Sequence, residues 1–167
     1  MPEGRLLAAL QALKQGGVEF IVVGGLAAVL NGAPIMTYDV DLVYSRKAAN
    51  VDALLRVLAR MDAVFRAQPE RRLRPSGSHL SAGGHLNLVT SYGPLDLLGS
   101  IGRGVEYENL FLRSSEFEIG EGVRVRVLDL EMLIDLKEQL AGEKDLAVLP
   151  ILRRTLEEIR KRRASEG

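Results

Sequence analysis

The run Val18-Glu19-Phe20-Ile21-Val22-Val23-Gly24-Gly25-Leu26-Ala27-Ala28-Val29-Leu30-Asn31-Gly32-Ala33-Pro34-Ile35-Met36-Thr37-Tyr38-Asp39-Val40-Asp41-Leu42-Val43 decides the fold. Its apolar segment Phe20-Ile21-Val22-Val23 ends at Gly24-Gly25, a short segment from Leu26 to Asn31 follows, and Thr37 opens a second run that becomes apolar. The order reads as strand, glycine turn, short helix, strand. Strand side chains alternate, so Asp39 and Asp41 are expected on one face and Val40 and Leu42 on the other, with the acids roughly 6 to 7 Å apart. Carboxylates that close repel each other, and a hard divalent cation such as magnesium removes the repulsion. Gly24 and Gly25 would let a phosphate come close to the unpaired amides of a helix start. Alone, a glycine pair is usually a plain turn and an Asp-x-Asp usually the solvated face of an edge strand. Here the acids stand at the mouth of an apolar strand just after the turn, an order that points to metal and phosphate meeting at one place.

Upstream, residues 5–14 carry Leu6, Leu7, Leu10 and Leu13, a helical stripe that Gly16-Gly17 would stop. Downstream, Asn50 is expected to cap a helix whose Val51, Leu54, Leu55 and Leu58 share a face. Arg46 and Lys47, between strand and helix, read as a solvated linker or as cations that touch a phosphate or an acceptor strand. Residues 66–84 place Arg66, Arg71, Arg72 and Arg74 among prolines, serines and glycines, the composition of a long basic loop that is either solvated or meets RNA phosphates or a partner's acidic surface. His79 and His85, the only histidines, fall in or beside it, too few for a zinc site.

Leu86-Asn87-Leu88-Val89-Thr90, a turn at Ser91-Tyr92-Gly93-Pro94, and Leu95-Asp96-Leu97-Leu98 read as a hairpin. A carboxylate inside a leucine run is expensive to bury unless it is paired or bound to a cation, so Asp96 either faces water or completes a three-carboxylate metal site with Asp39 and Asp41. Gly99, Gly102 and Gly104 do not follow a dinucleotide-binding order and read as a flexible turn. Residues 116–127 suggest a last hairpin, and Asp129 an N-cap, with Leu128 and Leu133 as a hydrophobic staple, for a helix that Gly142 stops. On that helix Lys137 falls within the apolar sector, where it either snorkels to water or reaches an anion. The final helix tolerates Pro150 only early or with a kink, and its arginines and glutamates form a solvated face.

With 167 residues, 47% apolar and 26% charged, the chain suits one globular domain, 1–167. Lysine plus arginine balances aspartate plus glutamate at 22 each, so no overall field attracts nucleic acid or anionic membrane. The absence of cysteine excludes disulfides and thiolate metal sites and suits a reducing cytoplasm, the expected location. No signal-like start and no apolar run of spanning length occurs, so no membrane partner is expected.

Gly24-Gly25, Asp39-Val40-Asp41, Asp96 in Gly93-Pro94-Leu95-Asp96-Leu97-Leu98, Leu133-Ile134-Asp135-Leu136-Lys137 and Lys144-Asp145-Leu146 together resemble the nucleotidyltransferase superfamily, and in particular its small bacterial minimal and AbiEii-type toxin-related members. The resemblance covers about residues 20–152. It implies an α/β (α+β) fold with a mixed, mainly antiparallel sheet flanked by helices and C-terminal helices packed on it. It also implies magnesium, two ions, held by Asp39, Asp41 and Asp96, and a nucleoside triphosphate against Gly24, Gly25, Thr37, Lys137, Lys144 and Asp145. Asp39, Asp41, Asp96 and Lys137 would carry catalysis, moving a nucleoside monophosphate to a hydroxyl on RNA, a protein side chain or a small molecule. The alternative is a non-catalytic nucleotide-binding module, or one half of a toxin and antitoxin pair with a partner protein. One departure stands out: where the family often has a serine after the first glycine, this chain has Gly25, which removes a phosphate contact.

Overall fold

The four residues of β1 (Phe20–Val23) are all buried, and the strand runs straight into α2 (Gly24–Leu30), so the glycine pair is the first turn of the helix itself. The computed structural model describes residues 2–167. Before β1 lies α1 (Pro2–Gln15), whose Leu6, Leu10 and Leu13 are buried as their spacing predicts. Gly16 sits against Val57 with no room for a side chain, which brings α1 onto α3 (Ala48–Arg60).

β2 (Val40–Tyr44) starts three residues later than the acidic alternation implies. Its ladder with β1 is antiparallel and ends at the Val23 to Asp41 pair, because the chain beyond Val23 has already turned into α2. On its other side β2 pairs in parallel with β5 (Gly93–Leu98), beginning at Val40 and Leu95, and the residue before Leu95 is Pro94, which has no N–H to extend the ladder. Thr37, Tyr38 and Asp39 therefore lie in the coil that leads into the strand.

The seven-stranded sheet has the order β3-β4-β5-β2-β1-β9-β8, with β3 (Val64–Phe65), β4 (Leu86–Thr90), β8 (Ser114–Glu118) and β9 (Arg124–Leu128) added around the central pair. The β1–β9 and β2–β5 ladders are parallel and the other four antiparallel, so the sheet is mixed and mainly antiparallel. α6 (Leu130–Leu140) packs against α2 and against the long α7 (Glu143–Glu166), which continues unbroken through Pro150. Arg153 and Arg160 of α7 pair with Glu138 and Glu131 of α6 at 2.8 and 3.0 Å.

Several local expectations change. Asn50 does not cap α3; it lies inside the helix, buried, where its side-chain oxygen accepts the Glu19 N–H at 2.7 Å and its amide donates to the carbonyls of Glu19 and Ser45 at 3.0 and 2.6 Å. The basic stretch 66–84 is not one loop. It holds a 3-10 turn (Pro69–Arg71) and α4 (Gly77–Ala82), the latter started by a capping box between Ser76 and His79. Arg72 and Arg74 there both donate to Asp62, holding its carboxyl below the usual range. The glycines after β5 belong to a small hairpin, β6 (Ser100–Ile101) with β7 (Val105–Glu106), followed by the short α5 (Tyr107–Phe111). Asp129 occupies the N-cap of α6 but makes no capping bond; it accepts instead from the Ser115 hydroxyl at 2.7 Å.

Candidate active site

Asp41 and Asp96 are direct partners in the parallel β2–β5 ladder, and partners in register share a face. The same row continues to Asn87, which pairs with Asp96 across the antiparallel β4–β5 ladder. Leu95 and Leu97 point the other way and are buried, so Asp96 stands on the cavity face rather than on a free edge. A cavity of about 350 Å³ opens over this row, with Gly24, Asp41, His85, Asp96 and Lys137 around it and Leu133, Leu136 and Leu140 of α6 as its apolar wall.

Burial, the neighbouring Asp96 and, less strongly, Asp39 push the Asp41 carboxyl up to about 7, against an opposing pull from Arg66. Two acids side by side in a half-buried place hold on to a proton when no cation neutralises them. Asp96 has found a cation within the chain: the Arg66 guanidinium donates to its Oδ1. Asp39, in the coil before β2, is near enough to act on Asp41 electrostatically. Among the described residues, however, no three histidine, aspartate or glutamate side chains are gathered closely enough to hold a metal ion. The pair Asp41 and Asp96 is assembled by the sheet, and the third acid is beside it without joining it.

Gly24 has a positive φ of 65°, and a Cβ there would run into the Asp41 carboxylate, so this position accepts no side chain on two counts. A Cβ at Gly25 would lie 3.0 Å from the Thr37 hydroxyl oxygen. Thr37 thus fills the space beside Gly25 with a hydroxyl of its own, which donates to the Asp39 carbonyl at 3.4 Å. Lys137 reaches the cavity from α6, and its ammonium donates to Asp145 Oδ1 at 2.9 Å, which lowers the Asp145 carboxyl. The amine is thus held by an acid of the chain. Asp145 meets the cavity through Lys137, while Lys144 is exposed and forms no ion pair among the described residues.

No family model and no curated protein matches the sequence. Among solved structures, the chain superposes on a Thermotoga maritima protein provisionally named a nucleotidyltransferase, with a TM-score of 0.53 and 18% identity over 90% of this chain and 89% of that one. The fold is that of a nucleotidyltransferase. No described helix is long and apolar enough to cross a membrane.

Within this nucleotidyltransferase fold, sequence reading missed Arg66, His85 and Asn87. Arg66 was placed in a loop, but it follows Val64 and Phe65, an apolar pair that forms the edge strand β3 against β4. The signal for Asn87 and His85 was the alternation of β4, where Leu86 and Leu88 are buried and the intervening residues face the other side. Arg46 and Lys47 lie past the opposite end of β2, with Arg46 turned to Glu106 at 3.6 Å, and take no part in the site.

Proposed function

We propose that this protein is a magnesium-dependent nucleotidyltransferase that moves a nucleoside monophosphate from a nucleoside triphosphate to a hydroxyl acceptor. The observation that carries the reading is the in-register pair Asp41 and Asp96 at the mouth of a cavity that also presents Gly24 and Lys137. The donor set fits magnesium: all hard oxygen, with a proton retained by Asp41 that a divalent cation would replace. Asp41 and Asp96 would hold it, with Asp39 beside them. Bound there, magnesium would supply charge neutralisation for the phosphates and a lowered pKa for the attacking hydroxyl.

The chain's own part follows from placement. Asp96 would accept the acceptor's proton as the hydroxyl oxygen bonds to the α-phosphorus and the bond to the bridging oxygen of pyrophosphate breaks. Lys137 would offset charge on the departing pyrophosphate, exchanging Asp145 for it. The hydroxyl of Thr37, next to Gly25, supports a phosphate contact that stands in for the absent serine. The acceptor is an RNA end, a protein side chain or a small molecule, and the AbiEii-type toxin role, with a partner antitoxin in the cytoplasm, rests on Lys137 and Asp145. One observation favours the alternative of a non-catalytic nucleotide-binding module: Asp96 is already paired with Arg66.

Asp96→Asn separates the two. A catalytic Asp96 predicts that the variant keeps triphosphate binding and loses transfer by about a hundredfold or more. Transfer at the wild-type rate in that variant would remove Asp96 from the chemistry, and triphosphate binding with no transfer in the wild type would select the non-catalytic module.

A further inference from the structure

Arg66 is the cation already paired with Asp96, one of the two in-register acids. Its backbone N–H donates to the Asn87 carbonyl at 2.9 Å, and Asn87 is in register with Asp96, so the base of the side chain is fixed beside that acid. One terminal nitrogen donates to Asp96 Oδ1, while the buried Nε–H has no acceptor among the described residues. A guanidinium carries five donors, so this contact leaves much of its capacity unused. The residue lines an open cavity of about 490 Å³ with Phe65, Ala67, His85 and Asn87, and its partner Asp96 lines the cavity over Asp41 and Lys137, to which His85 also belongs.

Resting on the nucleotidyltransferase reading, we propose that Arg66 is a resident counter-cation that a divalent metal displaces from Asp96 and that then binds the nucleotide's phosphates, coupling metal and nucleotide binding. A metal at Asp96 needs the oxygen lone pair that Arg66 now uses, and the two positive charges repel. Metal binding alone therefore acts against an existing ion pair and leaves a half-buried guanidinium without an anion, which is costly. A triphosphate brings the anion that Arg66 then lacks, in the planar, bidentate form that a guanidinium matches. Each ligand lowers the cost of the other, and the coupling must be the same in both directions.

Calorimetric titration tests this with manganese(II) and the α,β-methylene analogues of the four nucleoside triphosphates, each ligand titrated alone and in the presence of the other. In the wild type, manganese should bind about fivefold tighter or more with the analogue present. Arg66→Met should bind manganese alone about fivefold tighter than wild type, bind the analogue more weakly, and show little coupling. Should methionine loosen the sheet edge, Arg66→Lys gives the same comparison, because its ammonium lacks the guanidinium fork, and it too should bind manganese alone more tightly. Unchanged manganese affinity in a folded variant, with coupling intact, overturns the role of Arg66 and leaves the nucleotidyltransferase reading standing. A wild type that binds neither manganese nor any analogue overturns both.

Discussion

Replacing Asp41 with asparagine should make the metal-free protein more stable, and more so as the pH rises. The Asp41 carboxyl, ordinarily near 3.8, is pushed up to about 7 by burial first and then by Asp96 and Asp39. Each pH unit of such a shift is worth about 1.4 kcal/mol, so ionising Asp41 in the folded protein costs on the order of 4 kcal/mol at the limit, and about 2 kcal/mol once neighbours relax. The sign follows from proton binding. Between about pH 4 and pH 7 the unfolded chain has released this proton while the folded protein keeps it, so stability falls as pH rises through that window and levels off above it. Asparagine keeps the shape and has no charge to ionise. Urea unfolding in a chelator should therefore show Asp41→Asn gaining on wild type from about pH 5 to about pH 8, reaching about 2 kcal/mol, or roughly 4 to 8 °C in melting temperature for a chain of this size. Magnesium should restore stability to the wild type and do nothing for the variant. A variant less stable than wild type at about pH 8, or a difference that does not grow across the window, would show that Asp41 is not a strained carboxylate in the metal-free protein.

Lys137→Met should lose a little stability, up to about 1 kcal/mol, because Asp145 is left without its cation. The same variant should lose about 1 to 3 kcal/mol of nucleotide affinity, and wild-type affinity would show that Lys137 serves only Asp145. Asn50→Ala should cost about 2 to 4 kcal/mol by urea midpoint, with an unchanged denaturant slope, since it strips three hydrogen bonds from the buried junction of Glu19, Ser45 and α3. A shift of under about 0.5 kcal/mol would mean that water replaces the amide there.

The strand, helix and strand at the heart of the sheet were legible because Phe20 to Val23 is wholly apolar and the glycines that follow cannot extend a strand. The pairing of Asp41 with Asp96 was foreseeable only in part, since a parallel ladder between β2 and β5 joins segments far apart in the chain. Asn87 was hidden by register. The sequence reads as a four-residue turn, Ser91 to Pro94, whereas the ladder closes at Thr90 and Gly93 with Pro94 as an early residue of β5. That two-residue difference moves Asn87 opposite Asp96. Arg66 was invisible for another reason: a strand as short as β3 carries no periodicity, and only its pairing with β4 places the arginine beside Asp96. Gly25 shows the converse. The sequence lacks a hydroxyl at Gly25, and the fold brings the Thr37 hydroxyl beside that position from twelve residues away.

Transfer of a nucleoside monophosphate is distinguished from every other use of a triphosphate by where the label sits on the substrate. Each nucleoside triphosphate, labelled in one set at the α-phosphate and in another at the γ-phosphate, would be incubated with the protein, magnesium, and total cell RNA, protein and metabolites. A nucleotidyltransferase places magnesium-dependent label on an acceptor from the α-set only, and Asp96→Asn places none. Label arriving from the γ-set, or none arriving from either set although the triphosphate binds, would contradict that activity.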